Sequence, residues 1–442
     1  MFYLIIFLFI LGYVAIALEQ NLPVDKAAIA MVTGALIWIC IAFGSDTIEV
    51  THNELVVHLS RISELLFFLL GSMTIVKIIE CHGGFILISK LIKTTNKVRL
   101  LWIFSFLTFF MSAVLDNLST TILMITLMWR FIGAKNLRLL FSCMIVIAAN
   151  AGGAWSPIGN ISTIILWIGG HVSGLNIIAQ LFVPSLICML VPLVVISLNL
   201  KGETVLLSRI DRPQSLIPTT DRERWMILLS GIGGLMLIPV FKSVTHLPPY
   251  IGMLLVLGII WIMTELIHRN KQKEYQIRLL LSGILKKIDI STIFFFLGIL
   301  LAVSGLESAG HLHMAGLFLN EKIHSIYAIN LLIGALSSVV DNVPLVAGSM
   351  SMFDLVSHDA LATISDPAKM AYMRHFVADG SFWELLAYSA GTGGSILIIG
   401  SSAGVAAMGL ANIDFAWYMK KMSLLTLAGF LAGFAAYCLI VR

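Results

Sequence analysis

The sequence predicts an all-α polytopic membrane protein built from two inverted-topology repeats, each with a re-entrant hairpin and a discontinuous, unwound transmembrane helix. Three observations carry this prediction. Of the 442 residues, 59% are hydrophobic and only 12% charged, a composition that a water-soluble domain of this size does not tolerate on its surface. Apolar runs of the roughly 17 to 25 residues needed to cross a bilayer recur along the chain. Short polar motifs also recur at matched spacings in two halves of the chain, which is how internal repeats of transporters announce themselves.

The apolar runs lie at about 2–18, 27–44, 64–80, 177–199, 224–241, 250–268, 291–307 and 422–441. The first lacks a basic start and a small-residue cleavage site, so it is expected to be a retained span and not a signal peptide. No polar stretch is long enough to make a soluble domain. The net charge of +4 is therefore assigned to basic loops at a membrane surface, and no nucleic-acid partner is expected. Cys40, Cys81, Cys143, Cys188 and Cys438 lie singly in apolar segments, without the spacing of a metal site or a disulfide framework. They are expected to pack as small apolar residues.

Four regions are irregular. Segments 98–132 and 323–356 each carry an Asp-Asn pair in mid-run, in AVLDNLSTTILM and SSVVDNVPLVAG, and are expected to be hairpins of two half-helices. Segments 137–169 and 375–411 are rich in glycine and are expected to be helices broken within the membrane. Non-helical backbone survives at that depth only where protein or a water-filled cavity covers it. The division that follows is 1–63 for N-terminal spans, 64–199 for the first repeat, 200–290 for two linking spans with loops, and 291–442 for the second repeat. Gly71, Glu80 and Gly83 match Gly298, Glu307 and Gly310, while Gly152, Gly153 and Gly159 match Gly393, Gly394 and Gly400, at identical spacing.

Orientation follows from the basic residues. With the N-terminus outside and each Asp-Asn segment entering and leaving on one side, most Lys and Arg fall inside: Lys26, Lys90 to Arg99, Arg130 to Arg138, the loops 201–224 and 269–287, and Lys420 and Lys421. That is the distribution the positive-inside rule requires of a multi-pass protein of a prokaryotic inner membrane.

A carboxylate at membrane depth marks a functional site by default. At the first tip Asp116, Asn117, Ser119, Thr120 and Thr121 offer only hard oxygen donors, and at the second Asp341 and Asn342 do the same. Oxygen ligands suit hard cations, and the ends of the half-helices add partial charge. In the broken helices, Gly153, Pro157, Asn160 and Ser162 of the first and Gly394 and Ser401 of the second sit where freed backbone groups can line a cavity. The expected ligands of such a cation are Asp116, Asn117, Asn160, Asp341 and Asn342, with Glu80, Glu307 and Glu384 as candidates for a relay or access path. No cofactor is expected. Gly429 and Gly433 are spaced for close helix packing, not for a site.

With these residues in hand, LDNLSTT, NAGGAWSPIGN, VVDNVPL and GTGGSILIIGSSAG, the chain resembles the NhaD-type sodium/proton antiporters of the ion transporter superfamily. The resemblance implies two re-entrant hairpins and two interrupted helices around an ion site, a homodimer, and exchange of cytoplasmic Na⁺ or Li⁺ for external protons. The second copy departs from the first in having Pro344 where the first has Ser119 and no Asn after Gly400, so the first half is expected to dominate coordination. The alternative on the same scaffold is a sodium-coupled anion or dicarboxylate symporter, or an arsenite-efflux permease. Two aspartates at the tips would repel a carboxylate substrate. An enzyme is not expected: an intramembrane aspartyl protease needs a Gly beside one of its two Asp residues, and neither Asp116 nor Asp341 has one.

Overall fold

The computed structural model describes residues 2–17, 24–44, 48–92, 94–129, 131–200, 219–269 and 281–440. Among them the helical elements dominate and there is no strand, only isolated bridge residues such as the parallel pair Val356 and Val377. The order is α1 (Phe2–Ala17), α2 (Lys26–Gly44), α3 (Ile48–Cys81), α4 (Gly84–Leu91), α5 (Lys97–Ser112), α6 (Asn117–Met128), α7 (Lys135–Ala154), α8 (Ile161–Ile168), α9 (Gly174–Asn199), α10 (Asp221–Thr245), α11 (Pro249–His268) and α12 (Leu281–Leu285). Then follow α13 (Ile290–Ser308), α14 (His311–Ile323), α15 (Ile326–Ser337), α16 (Asn342–Met352), α17 (His358–Ala362), α18 (Pro367–Met373), α19 (Ser381–Gly393), α20 (Ser402–Ala411), α21 (Phe415–Lys421) and α22 (Ser423–Ile440).

Among the described residues, eight helices are long and apolar enough to cross a membrane: α2, α3, α7, α9, α10, α11, α13 and α22. Two of these differ from the sequence-based spans. The run at 64–80 is the second half of α3, a helix of 34 residues, because no Gly or Pro precedes it to end the turn. At about 1.5 Å per residue α3 is longer than the ~30 Å hydrocarbon layer. Helix α7, the first part of the segment expected to be a broken helix, is by itself long and apolar enough to cross and is the most buried of the eight. Conversely α1 is apolar but only 16 residues long. The basic stretches 201–218 and 270–280, together with Lys93 and Arg130, lie outside the described residues.

Helix starts are set by side-chain caps, which satisfy amide groups that the first turn leaves unpaired. Asn96 accepts from the Arg99 amide at 3.1 Å, Thr220 and Glu223 form a capping box, and Asp414 accepts from Trp417 at 2.9 Å. Close helix contacts run through small residues, as is usual where no hydrophobic effect drives association. On α22, Gly429 and Gly433 lie against the carbonyls of Cys188 and Pro184 of α9, with no room for a side chain. Their spacing is thus used for packing, as expected from the sequence.

Candidate functional site

Helices α5 and α6 meet at Asp116. The turn at 113–116 joins them, and Asp116 caps α6 through its Oδ1, which accepts from the Ser119 amide at 2.7 Å. Helices α15 and α16 meet likewise at Asp341, which caps α16. Here the sequence difference has a direct consequence: Pro344 occupies the position of Ser119 and has no amide proton to donate. Asp341 instead accepts from Val343 at 3.5 Å, a much weaker bond.

The two other irregular segments are also interrupted helices in detail. Helix α7 ends at Ala154 and α8 begins at Ile161, with Asn160 as its cap; α19 ends at Gly393 and α20 begins at Ser402, with Ser401 as its cap. Asn160 and Ser401 adopt nearly the same backbone angles, φ −143° and ψ 144° against φ −140° and ψ 149°. Each interrupted helix is clamped to a turn in the same way. Ser112 Oγ donates to the Ala149 carbonyl at 2.6 Å, and Ser337 Oγ to the Ala390 carbonyl at 2.7 Å. Gly159 lies against the Ser112 carbonyl and Gly400 against that of Ser337, each where a methyl group would collide. Gly83 and Gly310, a third matched pair, both take positive φ, 75° and 78°, a conformation that favours glycine.

Contacts then cross between the halves. Helix α6 packs on α20, α7 on α19 and α20, and α16 on α8. At the crossing, Asn117 Nδ2 donates to Asn150 Oδ1 at 2.8 Å, and Asn150 Nδ2 donates to Ser395 Oγ at 2.8 Å and Ser401 Oγ at 2.9 Å. All of these side chains are buried. The tip of the first helical pair is thus tied, through a residue of α7, to the break in the α19–α20 helix. Asn150 and Ser395 were not among the sequence-derived candidates. The available signal was a single Asn in the run AANAGGA, since a buried polar side chain among alanines and glycines is costly unless it is partnered.

Among the described residues, the buried oxygens without a hydrogen-bond partner in the protein include Asp116 Oδ2, Thr120 Oγ1, Thr121 Oγ1, Ser162 Oγ and, from the second pair, Asn342 Oδ1, together with others such as Ser142, Ser185 and Ser389 Oγ elsewhere in the chain. Buried polar atoms are usually paired, and oxygens are the donor type that suits a hard cation. Asn160 uses Oδ1 to cap α8, at 3.4 Å from the Ser162 amide, and its Nδ2 is unpaired; rotating the amide by half a turn exchanges the two atoms. Ser119 is half-buried, and Gly153, Pro157 and Gly394 are buried backbone elements of the interruptions.

Asp341, like Asp116, caps its own helix, and it lies within electrostatic reach of Tyr13 and Lys26. The three glutamates differ in setting. Glu80 is half-exposed and paired with Lys77 at 2.8 Å. Glu307 accepts from Ser351 Oγ at 2.7 Å. Only Glu384 of the three is buried, where Tyr437 and Asn176 donate to its two oxygens.

A multi-pass helical protein with an acidic, oxygen-rich cluster between interrupted helices belongs to the class of membrane transporters. Residues 13–374 match the citrate transporter (CitMHS) family. The chain is 40% identical to sodium/proton antiporter 2 of Arabidopsis thaliana over 97% of both chains, and 40% identical to sodium/proton antiporter 1 of the same plant over 97% of this chain and 71% of that one. It is 30% identical to the Na⁺/H⁺ antiporter NhaD of Vibrio cholerae, over 99% of this chain and 91% of the relative. The chain therefore belongs to the citrate transporter family of the ion transporter superfamily, as an NhaD-type member.

Proposed function

We propose that the protein is a secondary active transporter that exchanges cytoplasmic Na⁺ or Li⁺ for external protons across a prokaryotic inner membrane. The observation that carries this reading is the set of unpaired buried oxygens around Asp116. The names of the relatives, sodium/proton antiporters, support it. In this reading residues 64–199 and 291–442 are inverted repeats, the α5–α6 and α15–α16 pairs are re-entrant hairpins, and the large basic loops face the cytoplasm. The cation is held chiefly by Asp116, Asn117, Thr120, Thr121, Asn160 and Ser162, with Asn342 and Asp341 contributing from the second half.

The mechanism follows from the carboxylate. An ordinary Asp titrates near ~3.9, too low to carry a proton at neutral pH, and desolvation disfavours an ionised acid while a bound cation favours it. Proton and cation then compete for one group. An ionised carboxylate with no cation is the costliest occupant of a water-excluded site, so the carrier reorients when loaded with Na⁺ or with a proton, and that restriction couples the two flows. Transport falls as cytoplasmic pH drops, because protons then hold the site.

In everted vesicles carrying a fluorescent pH probe, addition of Na⁺ or Li⁺ is expected to release the quenched signal, and Asp116→Asn to abolish the response while the protein stays folded and monodisperse. The family's description as citrate transporters favours one other reading, sodium-coupled anion uptake. Citrate or dicarboxylate accumulation in liposomes, with no pH response to Na⁺, would establish that reading and overturn the first.

A further inference from the structure

A cavity of about 160 Å³ lies beside the first tip, between α3, α6 and the residues leading into α13. Its α6 wall includes Ser119 and Thr126, and its rim carries Lys77, Glu80, Lys287 and Asp289. Ser119 is the residue whose amide donates to Asp116, so the cavity wall comes within one helical turn of that carboxylate. The rim side chains are solvent-accessible: Lys77 is 29% and Glu80 49% exposed, and Lys287 and Asp289 are exposed.

The four charges are not equivalent. Asp289 is occupied as the cap of α13, accepting from the Thr292 amide at 3.2 Å and its hydroxyl at 2.5 Å. Lys287 Nζ lies 3.7 Å from Cys81 Sγ. Glu80 and Lys77 hold each other at 2.8 Å, in a surface setting where such a pair is worth little and opens readily. A cation entering must pass a lysine that repels it and a glutamate that attracts it. Clefts lined by charge change the local concentration and arrival rate of ions by about tenfold or more.

We propose that this cavity is the access path by which the cation reaches Asp116 from the side where α3 ends, and that the Lys77–Glu80 pair is its charge filter. Glu80 exchanges Lys77 for the passing cation, and Lys77 returns behind it. The proposal rests on the reading of cation transport given above, but its geometry can be tested without transport.

The test uses the full-length protein with its native cysteines replaced and Ser119→Cys introduced; the amide that caps Asp116 belongs to the backbone and is kept, while the Ser119 hydroxyl, which also hydrogen-bonds the Asp116 carboxylate, is replaced by the thiol. The rates of labelling by a cationic and an anionic methanethiosulfonate are compared at low ionic strength. Lys77→Gln and Lys287→Gln are each expected to raise the cation-to-anion rate ratio by about threefold or more, and Glu80→Gln to lower it by as much. These differences shrink as ionic strength rises from ~0.01 M to ~0.15 M and the Debye length falls from ~30 to ~8 Å. In the vesicle assay Lys77→Gln lowers the apparent KM for Na⁺ and leaves the maximal rate unchanged. Failure of the introduced thiol to react in the folded protein, or a ratio indifferent to the three substitutions, overturns the proposal. Absence of any Na⁺ response in the unsubstituted protein overturns the sodium reading alone, since the labelling ratio still decides the access path.

Discussion

A buried asparagine surrounded by alanine and glycine costs the desolvation of its amide, and only its hydrogen bonds can offset that cost. Asn150 makes three to side chains, with Asn117, Ser395 and Ser401, and so contacts both the first tip and the second interruption. Asn150→Ala leaves each partner in a buried site short of a bond, at about 1 to 3 kcal/mol per orphaned group. The expected outcome is an exchange rate at least about tenfold lower, the equivalent of ~1.4 kcal/mol, with a lower thermal midpoint in detergent. A double cycle with Ser401→Ala should show strong non-additivity, because the two residues share one network. Additive effects would mean that the halves are joined elsewhere.

At the scale of the element, the interrupted helices exist because the segments between their halves are pinned to the turns they face. The clamp is a serine hydroxyl on a carbonyl together with a glycine seated on the backbone opposite. For Gly400 an added methyl would lie 2.3 Å from the Ser337 carbonyl oxygen and 2.5 Å from that of Ser338; for Gly159 it would lie 2.5 Å from the Ser112 oxygen. Backbone cannot rotate away as a side chain can. Gly400→Ala and Gly159→Ala are therefore expected to destabilise by about 1 to 3 kcal/mol, as overpacking does, and to reduce transport in vesicles. Gly409, which has open space around it, is the control, since alanine there should leave thermal stability within about 0.5 kcal/mol.

For the whole molecule, the crossing of α6 with α20 and of α16 with α8 places the candidate ion site at a junction of two halves, and the alternating access proposed above needs the two tips to open to opposite sides. The prediction is one of orientation. In intact cells with single introduced cysteines, position 134, after the first helical pair, should be labelled only after permeabilisation, and position 358, after the second, should be labelled from outside. A label that reached 134 from outside, or 358 only from within, would reverse the proposed topology. The homodimer implied by the family resemblance belongs to the same scale and is open to cross-linking in native membranes.

Much of this was legible in the chain alone, for a definite reason. Apolar length is a one-dimensional property, so spans can be read directly. Glycines and polar pairs act on their own backbone, so the breaks at Asp116, Asp341, Asn160 and Ser401 could be read from neighbouring residues, while their roles as helix caps came from the structure. Pro344 marked the second copy as different, and the structure shows what the difference does: with no amide proton at that position, Asp341 has a longer cap. What the tertiary structure alone decided are matters of distance between segments remote in sequence. Nothing in a linear reading says that Asn150 reaches Ser401 across 251 positions, that Glu384 is buried under Tyr437 while Glu80 pairs with Lys77 at the surface, or that Ser119 borders a cavity rimmed by residues of α3 and of the segment leading into α13. Those relations depend on which helix faces pack together, and packing is a property of the assembled fold and not of any one stretch of it.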